Sequence, residues 1–295
     1  MENIYIQKTY KNNKATIFLL PTPIGNLEDI SANFIGVVNE IDLLYCEDTR
    51  KTNYLLKYLN IKKPTISFHK FNEQKRKSEI INAIEKNLKI GICSDAGMPG
   101  ICDPGIFLLN DLLEGEDFNL TIISPGSAFL GSLLISGLYN DYFTFLGFLP
   151  KKEQQIERLL KDFANKKSVI VFYESIHRIE KTMLFLKSIL SKETRITVVR
   201  ELTKINEEIV RGKIRYVSDY ISSESYVKKG EICVVLDKNI CFGNDINISD
   251  DYILLELNNI IAKKNNTKDA ILYICNKYNK KKNWLYNLYE KQKNK

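Results

Sequence analysis

The sequence has 295 residues, of which 44% are hydrophobic and 27% are charged, and its formal net charge is +7. This composition excludes a mostly disordered chain, and no apolar run approaches the length of a membrane span. The first residues, MENIYIQKTYKNNK, lack the apolar core of a signal peptide, and a chain of this length usually forms two domains. We therefore expect a cytoplasmic globular protein.

The six cysteines predict neither a disulfide framework nor a metal site. They form no CxxC pair, and the sequence has only two histidines, His69 and His177. A zinc site needs clustered thiolates and imidazoles, which this spacing does not supply. We expect free, mostly buried thiols and no bound metal.

In the first half of the chain, short apolar runs alternate with helical patterns. Strands are predicted at 16–20, 42–46, 65–68, 90–93 and 120–123. Helices are predicted at 30–40, 49–59, 72–87, 105–114 and 127–136. Short apolar runs that end at glycine or proline are typical of buried parallel strands. The alternation predicts an α/β domain over 15–146, after an N-terminal arm over 1–14.

A second α/β domain is predicted over 147–240, followed by a basic helical tail over 241–295. Within the second domain, helices are predicted at 151–164 and 175–189, and strands at 168–173, 195–200, 206–211 and 230–237. Helices of the tail are predicted at 251–262, 267–278 and 281–291. Residues 261–295 hold ten lysines and two acidic residues, a local net charge of +8, whereas the rest of the chain has a net charge of −1.

Three loops rich in glycine and proline follow predicted strands, at 21–26, 95–105 and 124–127. Because ligands bind beyond the carboxyl ends of parallel strands, we expect these loops to form one ligand site. Glycine lets the backbone approach a ligand, and proline fixes the loop. The alternative is three tight turns. The sequence has no GxGxxG or GxxxxGK[ST] motif, so it does not support a dinucleotide or nucleoside triphosphate site.

Nine motifs in chain order resemble those of the ribosomal RNA small subunit methyltransferase I family, within the tetrapyrrole methylase superfamily. They are LPTPIGNLEDI (20–30), CEDTRKT (46–52), HKFNE (69–73), SDAGMPGICDPG (94–105), SPGSAFLGSLLISGL (124–138), FLGFLPKK (145–152), FYESIHRI (172–179), RELTK (200–204) and KGEICVVL (229–236). The resemblance covers residues 15–240, and the tail is similar in layout to the family's C-terminal helices. Leu20 and Met98 depart from the usual pattern.

The resemblance implies a homodimeric, two-domain methyltransferase that binds S-adenosylmethionine in the cleft between its α/β domains. It implies methylation of the ribose 2′-OH of a cytidine in the decoding centre of 16S rRNA, within the 30S subunit. The cofactor has an adenine, a sulfonium cation and a zwitterionic end, which loop amides, carboxylates and apolar side chains are able to bind. The cofactor-binding candidates are Pro23, Gly25, Asp95, Ala96, Gly97, Pro99, Asp103, Ser127, Ala128, Thr203, Lys229 and Gly230.

Transfer to a hydroxyl needs orientation of its oxygen and a base that accepts its proton. The candidates for this base are Glu47, Asp48, His69, Glu174 and His177. Each also has a structural interpretation. Asp48 is placed to begin a helix, His69 to serve as a hydrogen-bonded loop residue, and Ser175, beside Glu174, to cap a helix.

RNA contacts need cations and stacking faces. The RNA-binding candidates are Arg50, Lys51, Lys70, Lys151, Lys152, Arg178, Arg200 and Lys204. In the tail, lysines alternate with Tyr273, Tyr278, Trp284, Tyr286 and Tyr289, which favours a small aromatic core with lysines facing phosphate. Two other functions stay open: a tetrapyrrole or small-molecule methyltransferase, and a non-catalytic RNA-binding ribosome assembly factor.

Overall fold

The computed structural model describes residues 4–69, 71–101, 105–139, 141–164, 166–240, 242, 253–254, 257–258, 260–261, 267–278 and 282–293. Its contacts divide the chain into two compact units. One unit comprises Met1–Lys187 with Lys192–Ile240, and the other comprises Ser188–Ser191 with Cys241–Lys295. The first unit contains both sheets described below.

The first sheet is built from five parallel strands. They are β2 (Thr16–Leu20), β3 (Leu43–Cys46), β4 (Thr65–Ser67), β5 (Lys89–Cys93) and β6 (Asn119–Ile122), in the order β4-β3-β5-β2-β6. The helices that follow these strands are α1 (Ala32–Glu40), α2 (Thr49–Tyr58), α3 (Glu73–Glu85), α4 (Ile106–Gly115) and α5 (Ala128–Leu134). The central strands are apolar along their length because helices cover both faces of such a sheet. The α/β prediction is confirmed.

The second sheet has six strands and is mostly antiparallel. They are β1 (Ile4–Gln7), β7 (Phe143–Phe148), β8 (Val169–Glu174), β9 (Arg195–Arg200), β10 (Glu208–Lys213) and β11 (Ile232–Leu236), in the order β1-β10-β9-β11-β8-β7. Only the β7–β8 pairing in this described sheet is parallel. Its helices are α6 (Glu153–Ala164), α7 (Ile179–Ile189) and α8 (Ile214–Ser222).

Two strands and one α-helix of the described structure were not predicted from the sequence: β1, β7 and α8. Strands β1 and β7 are the two edges of the second sheet, and each forms by pairing with one neighbour. Strand β1 lies in the predicted N-terminal arm, and β7 crosses the predicted boundary at residue 146. The division of this region into two domains stays a prediction, and β7, a strand of the second sheet, begins at Phe143, before the predicted boundary.

Buried hydrogen bonds connect the two sheets. Arg211 of β10 donates from Nη2 to the carbonyl of Ile135 at 2.6 Å and from Nη1 to Gln7 Oε1 at 2.9 Å. Gln7 Nε2 donates in turn to the carbonyl of Leu120 at the first sheet. Burial lowers the pKa of Arg211 to about 10, which is still well above neutral pH, so the side chain stays charged. The network fixes the end of α5 against β10.

The tail unit has a hydrophobic cluster of its own. It includes helices α9 (Thr267–Tyr278) and α10 (Lys282–Lys293) and the buried side chains Ile253, Leu257, Ile271, Ile274 and Leu285. Tyr289 is buried, and Trp284 and Tyr286 pack against the cluster, whereas Tyr273 is 53% exposed. The Tyr278 side chain lies outside the described part. No helix in the described residues is long and apolar enough to cross a membrane.

Candidate functional site

A pocket of about 440 Å³ lies at the carboxyl ends of β2, β3 and β5, and we call it the strand-end pocket. Its walls are Thr22, Pro23, Leu27, Asp48, Arg50, Lys51, Thr52, Tyr54, Leu55, Ser94 and Asp95. The chain leaves β3 toward β4 and leaves β5 toward β6, on the opposite side of the sheet. Connections that diverge from neighbouring strands open a crevice between them, and ligands bind there in open α/β sheets.

Backbone hydrogen bonds fix the loops after β2 and β5 to each other. Thr22 and Gly97 exchange two of them, at 2.9 and 3.0 Å, and the Thr22 hydroxyl donates to the carbonyl of Ser94 at 3.2 Å. Gly97 has a φ of +77°, a conformation that favours glycine. These hydrogen bonds fix the conformation of the loop that carries Asp95, Ala96, Gly97 and Pro99.

The strand-end pocket holds two carboxylates and two cations in fixed pairs. Asp95 accepts from the Lys51 ammonium at 2.7 Å and from the backbone N–H of Asp48 at 2.9 Å. Asp48 caps α2 and accepts from Arg50 Nη2 at 2.7 Å and Nε at 3.0 Å. These hydrogen bonds from Arg50 lower the pKa of Asp48 to about 2. Most of the Arg50 side chain, 89% of it, faces solvent.

A second pocket, of about 610 Å³, lies between α5 and the second sheet, and we call it the α5–β11 pocket. Its walls are Ala128, Ser132, Phe148, Tyr173, Glu174, Ser175, Ile176, His177, Val199, Leu202, Gly230, Glu231, Ile232 and Cys233. These residues come from α5, from β7, β8, β9 and β11, and from the loops beside them. Aliphatic and aromatic side chains form much of this lining, whereas four charged side chains, those of Asp48, Arg50, Lys51 and Asp95, line the strand-end pocket.

Aromatic contacts fix one wall of the α5–β11 pocket. Phe129 stacks on Phe145 with ring centroids 4.3 Å apart, and Phe145 meets the Tyr173 ring edge-on at 5.0 Å. The Tyr173 hydroxyl accepts from the backbone N–H of Phe129 at 3.1 Å. Ser132 is fully buried beside Cys233, with which its hydroxyl interacts. The wall thus offers mainly apolar surface.

A strained loop forms the opposite wall. Glu201 and Thr203 have φ values of +55° and +64°, which non-glycine residues adopt only when neighbours hold them. Buried Glu207 accepts from the backbone N–H of Thr203 at 2.7 Å, and Lys204 pairs with Glu201 at 2.7 Å. Leu202, between the two strained residues, faces the pocket. These contacts determine where the Leu202 side chain lies.

The structure divides the predicted cofactor residues between the two pockets. Pro23 and Asp95 line the strand-end pocket, and Gly25, Ala96, Gly97 and Pro99 lie in its loops. Ala128 and Gly230 line the α5–β11 pocket, and Ser127, Thr203 and Lys229 lie next to lining residues. Asp103, like the RNA-binding candidate Lys70, lies outside the described residues.

Several candidates have internal partners. The buried Glu174 accepts from the backbone N–H of Ser175 at 2.7 Å and from the Thr182 hydroxyl at 2.8 Å. Arg178 donates to the carbonyls of Leu149 and Pro150. Arg200 is 5% exposed and donates to Glu208 at 3.0 Å and to the Lys229 carbonyl, so its guanidinium is not presented at the surface.

The other candidates are distributed as follows. His69, after β4, lines neither pocket; its ring lies 3.2 Å from the Asn72 amide, and its buried Nδ1 has no partner in the described part of the chain. Glu47 is half-buried at the end of β3, and His177 is exposed at the rim of the α5–β11 pocket. Lys151 and Lys152 are exposed, and Lys204 pairs with Glu201 and Glu231.

The lining residues that were not predicted as site residues include Tyr54, Ser132, Tyr173 and Leu202. Three of them lie inside the motifs quoted above, in SPGSAFLGSLL, FYESIHRI and RELTK. The spacing offered one signal, because Ser132 follows Ala128 by four residues on the same helix face. Buried Cys46, Cys93, Cys233 and Cys275 are free thiols, and no described group of His, Cys, Asp and Glu side chains is arranged to hold a metal ion.

Comparison with known proteins agrees with this architecture. The model of the tetrapyrrole (corrin/porphyrin) methylases matches residues 16–217, which include the whole first sheet and four of the six described strands of the second. The chain is therefore a methyltransferase of that class, and its cofactor is S-adenosylmethionine.

Similarity to individual proteins identifies the family within this class. Three proteins called ribosomal RNA small subunit methyltransferase I resemble the chain. That of Thermotoga maritima is 39% identical, covering 75% of this chain and 97% of its own length. That of Synechocystis sp. is 37% identical, with coverages of 75% and 78%, and that of Halalkalibacterium halodurans is 30% identical, with coverages of 97% and 99%. The chain belongs to the ribosomal RNA small subunit methyltransferase I family.

Proposed function

We propose that this protein methylates the ribose 2′-OH of a cytidine in the decoding centre of 16S rRNA, acting in the cytoplasm as a homodimer. The relatives' names support a substrate in small-subunit ribosomal RNA, and their similarity extends over most of the chain. The cytidine, the 2′ position and the homodimer come from the motif resemblance. The arrangement of the two pockets supports a reaction between a small cofactor and a larger, charged substrate.

The α5–β11 pocket fits the adenosine part of the cofactor. Tyr173, Val199 and Leu202 supply apolar walls for an adenine. Ala128 and Gly230 leave the opening unobstructed because they have little or no side chain. When bound, S-adenosylmethionine supplies a methyl group activated by its sulfonium.

The loop at 94–101 is the observation that carries the proposal. Ser94 and Asp95, at its start, line the strand-end pocket. Met98 and Ile101, near its end, pack against the same hydrophobic cluster as Tyr173 and Leu202, which line the α5–β11 pocket. The loop therefore borders the strand-end pocket and packs on the core that also carries two residues of the α5–β11 pocket, although none of its own residues lines the second pocket. We place the substrate ribose at the strand-end pocket. We assign Pro23, Gly25, Gly97 and Pro99 to shaping the loops that surround it.

The hydrogen bonds of the candidate residues reduce the number that are able to accept the proton of the ribose hydroxyl. Asp48, with a pKa of about 2, is a weak proton acceptor at neutral pH. Both Glu174 oxygens accept hydrogen bonds in a buried position, so that carboxylate is already used. Glu47 and His69 keep an acceptor atom without a described partner, and we retain them as candidates. Asn and Gln substitutions at His69, which mimic its Nδ1 and Nε2 respectively, test which ring nitrogen matters.

The proposal is tested by transfer of label. The protein is incubated with radiolabelled S-adenosylmethionine and 30S subunits that lack the modification, and ribose methylation is then mapped along the 16S rRNA. We expect label at one cytidine ribose in the decoding region. Label on a porphyrinoid and not on rRNA would support the small-molecule alternative. Cofactor binding with no transfer to either substrate would support an assembly factor.

A further inference from the structure

The outward face of α2 carries two exposed tyrosines and an arginine at helical spacing. Arg50, Tyr54 and Tyr58 are four residues apart, so they lie on one face of the helix. Tyr54 is 66% exposed, Tyr58 is 52% exposed, and the Arg50 side chain is 89% exposed. We call these three residues the α2 track.

The core does not account for these rings. The helix packs through Thr52, Leu55 and Leu56, which are buried, and the tyrosines lie away from that face. Exposed large aromatic side chains that line up beside a pocket mark interaction surfaces more often than isolated ones do. The rings therefore need an explanation other than stability.

The α2 track continues the strand-end pocket. Arg50 and Tyr54 are among the residues that line the pocket, and Tyr58 lies one turn further along the helix. With a rise of about 1.5 Å per residue, Tyr54 and Tyr58 are separated by about 6 Å along the helix axis, and the track is about 12 Å long. A chain that leaves the pocket along this face would pass both rings in succession.

The charge of α2 indicates the kind of chain. Its sequence, TRKTNYLLKY, contains Arg50, Lys51 and Lys57 and no acidic residue. Asp48 orients the Arg50 guanidinium through Nε and Nη2, while most of the side chain stays in solvent. Cations interleaved with exposed aromatic rings are the surface that binds single-stranded nucleic acid, because bases stack on the rings and phosphates meet the cations.

We propose that the α2 track binds single-stranded RNA adjoining the nucleotide in the strand-end pocket. Successive bases stack on Tyr54 and Tyr58, and the connecting phosphates meet Arg50 and Lys57. This inference rests on the proposed function, since it names how the same substrate extends beyond the pocket. It adds Tyr54, Tyr58 and Lys57 to Arg50, which the sequence had already indicated as a candidate for RNA binding.

The test measures binding of a fluorescent single-stranded oligocytidine RNA to the full-length protein by anisotropy. The double variant Tyr54→Ala/Tyr58→Ala removes both rings, and we expect RNA affinity to fall about tenfold or more. The matched variant Tyr54→Phe/Tyr58→Phe keeps both rings and should bind within about twofold of the parent protein. Tyr142→Ala, which removes a ring that is 71% exposed elsewhere, should leave binding unchanged.

Calorimetry with S-adenosylmethionine and thermal melting separate a local effect from a general one. Unchanged cofactor affinity and melting temperature in the double alanine variant, with weakened RNA binding, support the α2 track. Equal RNA affinity in the double alanine variant and the parent would overturn it. So would a change in oligomeric state by sedimentation without a change in RNA binding, because the face would then be a protein interface.

Failure of this inference is distinguishable from failure of the proposed function. If the parent protein methylates 16S rRNA but the rings do not affect oligonucleotide binding, the α2 track is wrong and the function stands. If the rings determine oligonucleotide binding but no rRNA is methylated, the RNA surface stands and the proposed function is wrong.

Discussion

The strand-end pocket and the α5–β11 pocket are held by different kinds of contact. In the strand-end pocket, Arg50 pairs with Asp48 and Lys51 with Asp95, and the cations are 89% and 63% exposed. In the α5–β11 pocket, the walls are aromatic rings and a loop anchored by buried Glu207. Exposed ion pairs contribute little to stability and are screened by salt, whereas a buried acceptor is costly to remove.

The difference suits two classes of ligand. A polymer with many phosphates gains affinity from exposed cations, and salt weakens that gain. A small cofactor gains specificity from a shaped apolar wall with few polar atoms, and salt has little effect on it. Variants at the two pockets should therefore affect cofactor binding and RNA binding separately. Their effects on stability should also differ from their effects on binding.

The largest effect should come from Glu207→Ala, which removes the anchor of the loop that carries Leu202. Glu207 accepts from the hydroxyls of Thr9 and Thr121 and from the Thr203 N–H, so two buried hydroxyls and one partly buried N–H would lose their acceptor. We expect the free energy of unfolding to fall by about 3 kcal/mol or more. Urea denaturation measures this loss, and a change below about 1 kcal/mol would show that the loop does not depend on Glu207.

Glu207→Gln is the matched variant, and it adds a pH dependence. Burial raises the pKa of Glu207 above its value in the unfolded chain. The protonated form is therefore favoured on folding, and the parent protein loses stability as pH rises through the raised pKa. The neutral amide does not titrate, so the stability of the glutamine variant relative to the parent should rise over the same pH range. Denaturation curves at several pH values give this difference.

Ala128→Trp should come next, because it fills the α5–β11 pocket from the first turn of α5. Ala128 is exposed and lines the opening, so the indole would occupy cofactor space without disturbing the core. We expect affinity for S-adenosylmethionine to fall about 100-fold, equivalent to about 2.7 kcal/mol, as measured by calorimetry.

Ala32→Trp is the control for this change. Ala32 is the exposed first residue of α1 and follows Ser31 as Ala128 follows Ser127, but it lines neither pocket. Unchanged affinity in Ala32→Trp combined with a loss in Ala128→Trp supports the assignment. Equal affinities for S-adenosylmethionine in the two variants would show that the cofactor does not bind in the α5–β11 pocket.

The smallest effect on stability should come from Asp95→Asn. Asparagine keeps an acceptor for the Asp48 N–H but removes the charge that pairs with Lys51, which is 63% exposed. We expect the free energy of unfolding to change by less than about 1 kcal/mol and cofactor affinity by less than about twofold, with slower rRNA methylation. A loss of cofactor affinity of about tenfold would show that Asp95 contacts the cofactor. It would contradict the assignment of the cofactor and the RNA to different pockets.

Part of the site was predictable from the sequence because its signals are local. Apolar runs at 16–20 and 90–93, each followed by glycine and proline, indicated parallel strands and the loops beyond them. Parallel strands share their carboxyl edge, so the meeting of Pro23 with Asp95 in one pocket followed from the fold class. The Asp48 helix cap was likewise predictable from residue type.

Other assignments depended on neighbours that are distant in sequence. Arg200, a candidate for RNA binding, lies directly opposite Glu208 across β9 and β10, and this register buries the pair. Glu174 is buried by the strand on which it lies and bonded by Thr182 of α7. A motif shows that such residues occur together, but burial and pairing set whether a charged side chain faces a ligand or the interior.

By itself, the sequence determined the local elements, the fold class, the family and the loops that surround the site, because short-range periodicity and turn residues specify these. Only the tertiary structure decided that Ile4–Gln7 would pair with β10, that the candidate residues would divide between two pockets, and that Glu207 would anchor the wall of one of them. The physical reason is that strand pairing and burial join residues far apart in the chain, and their energies depend on partners that no local pattern identifies.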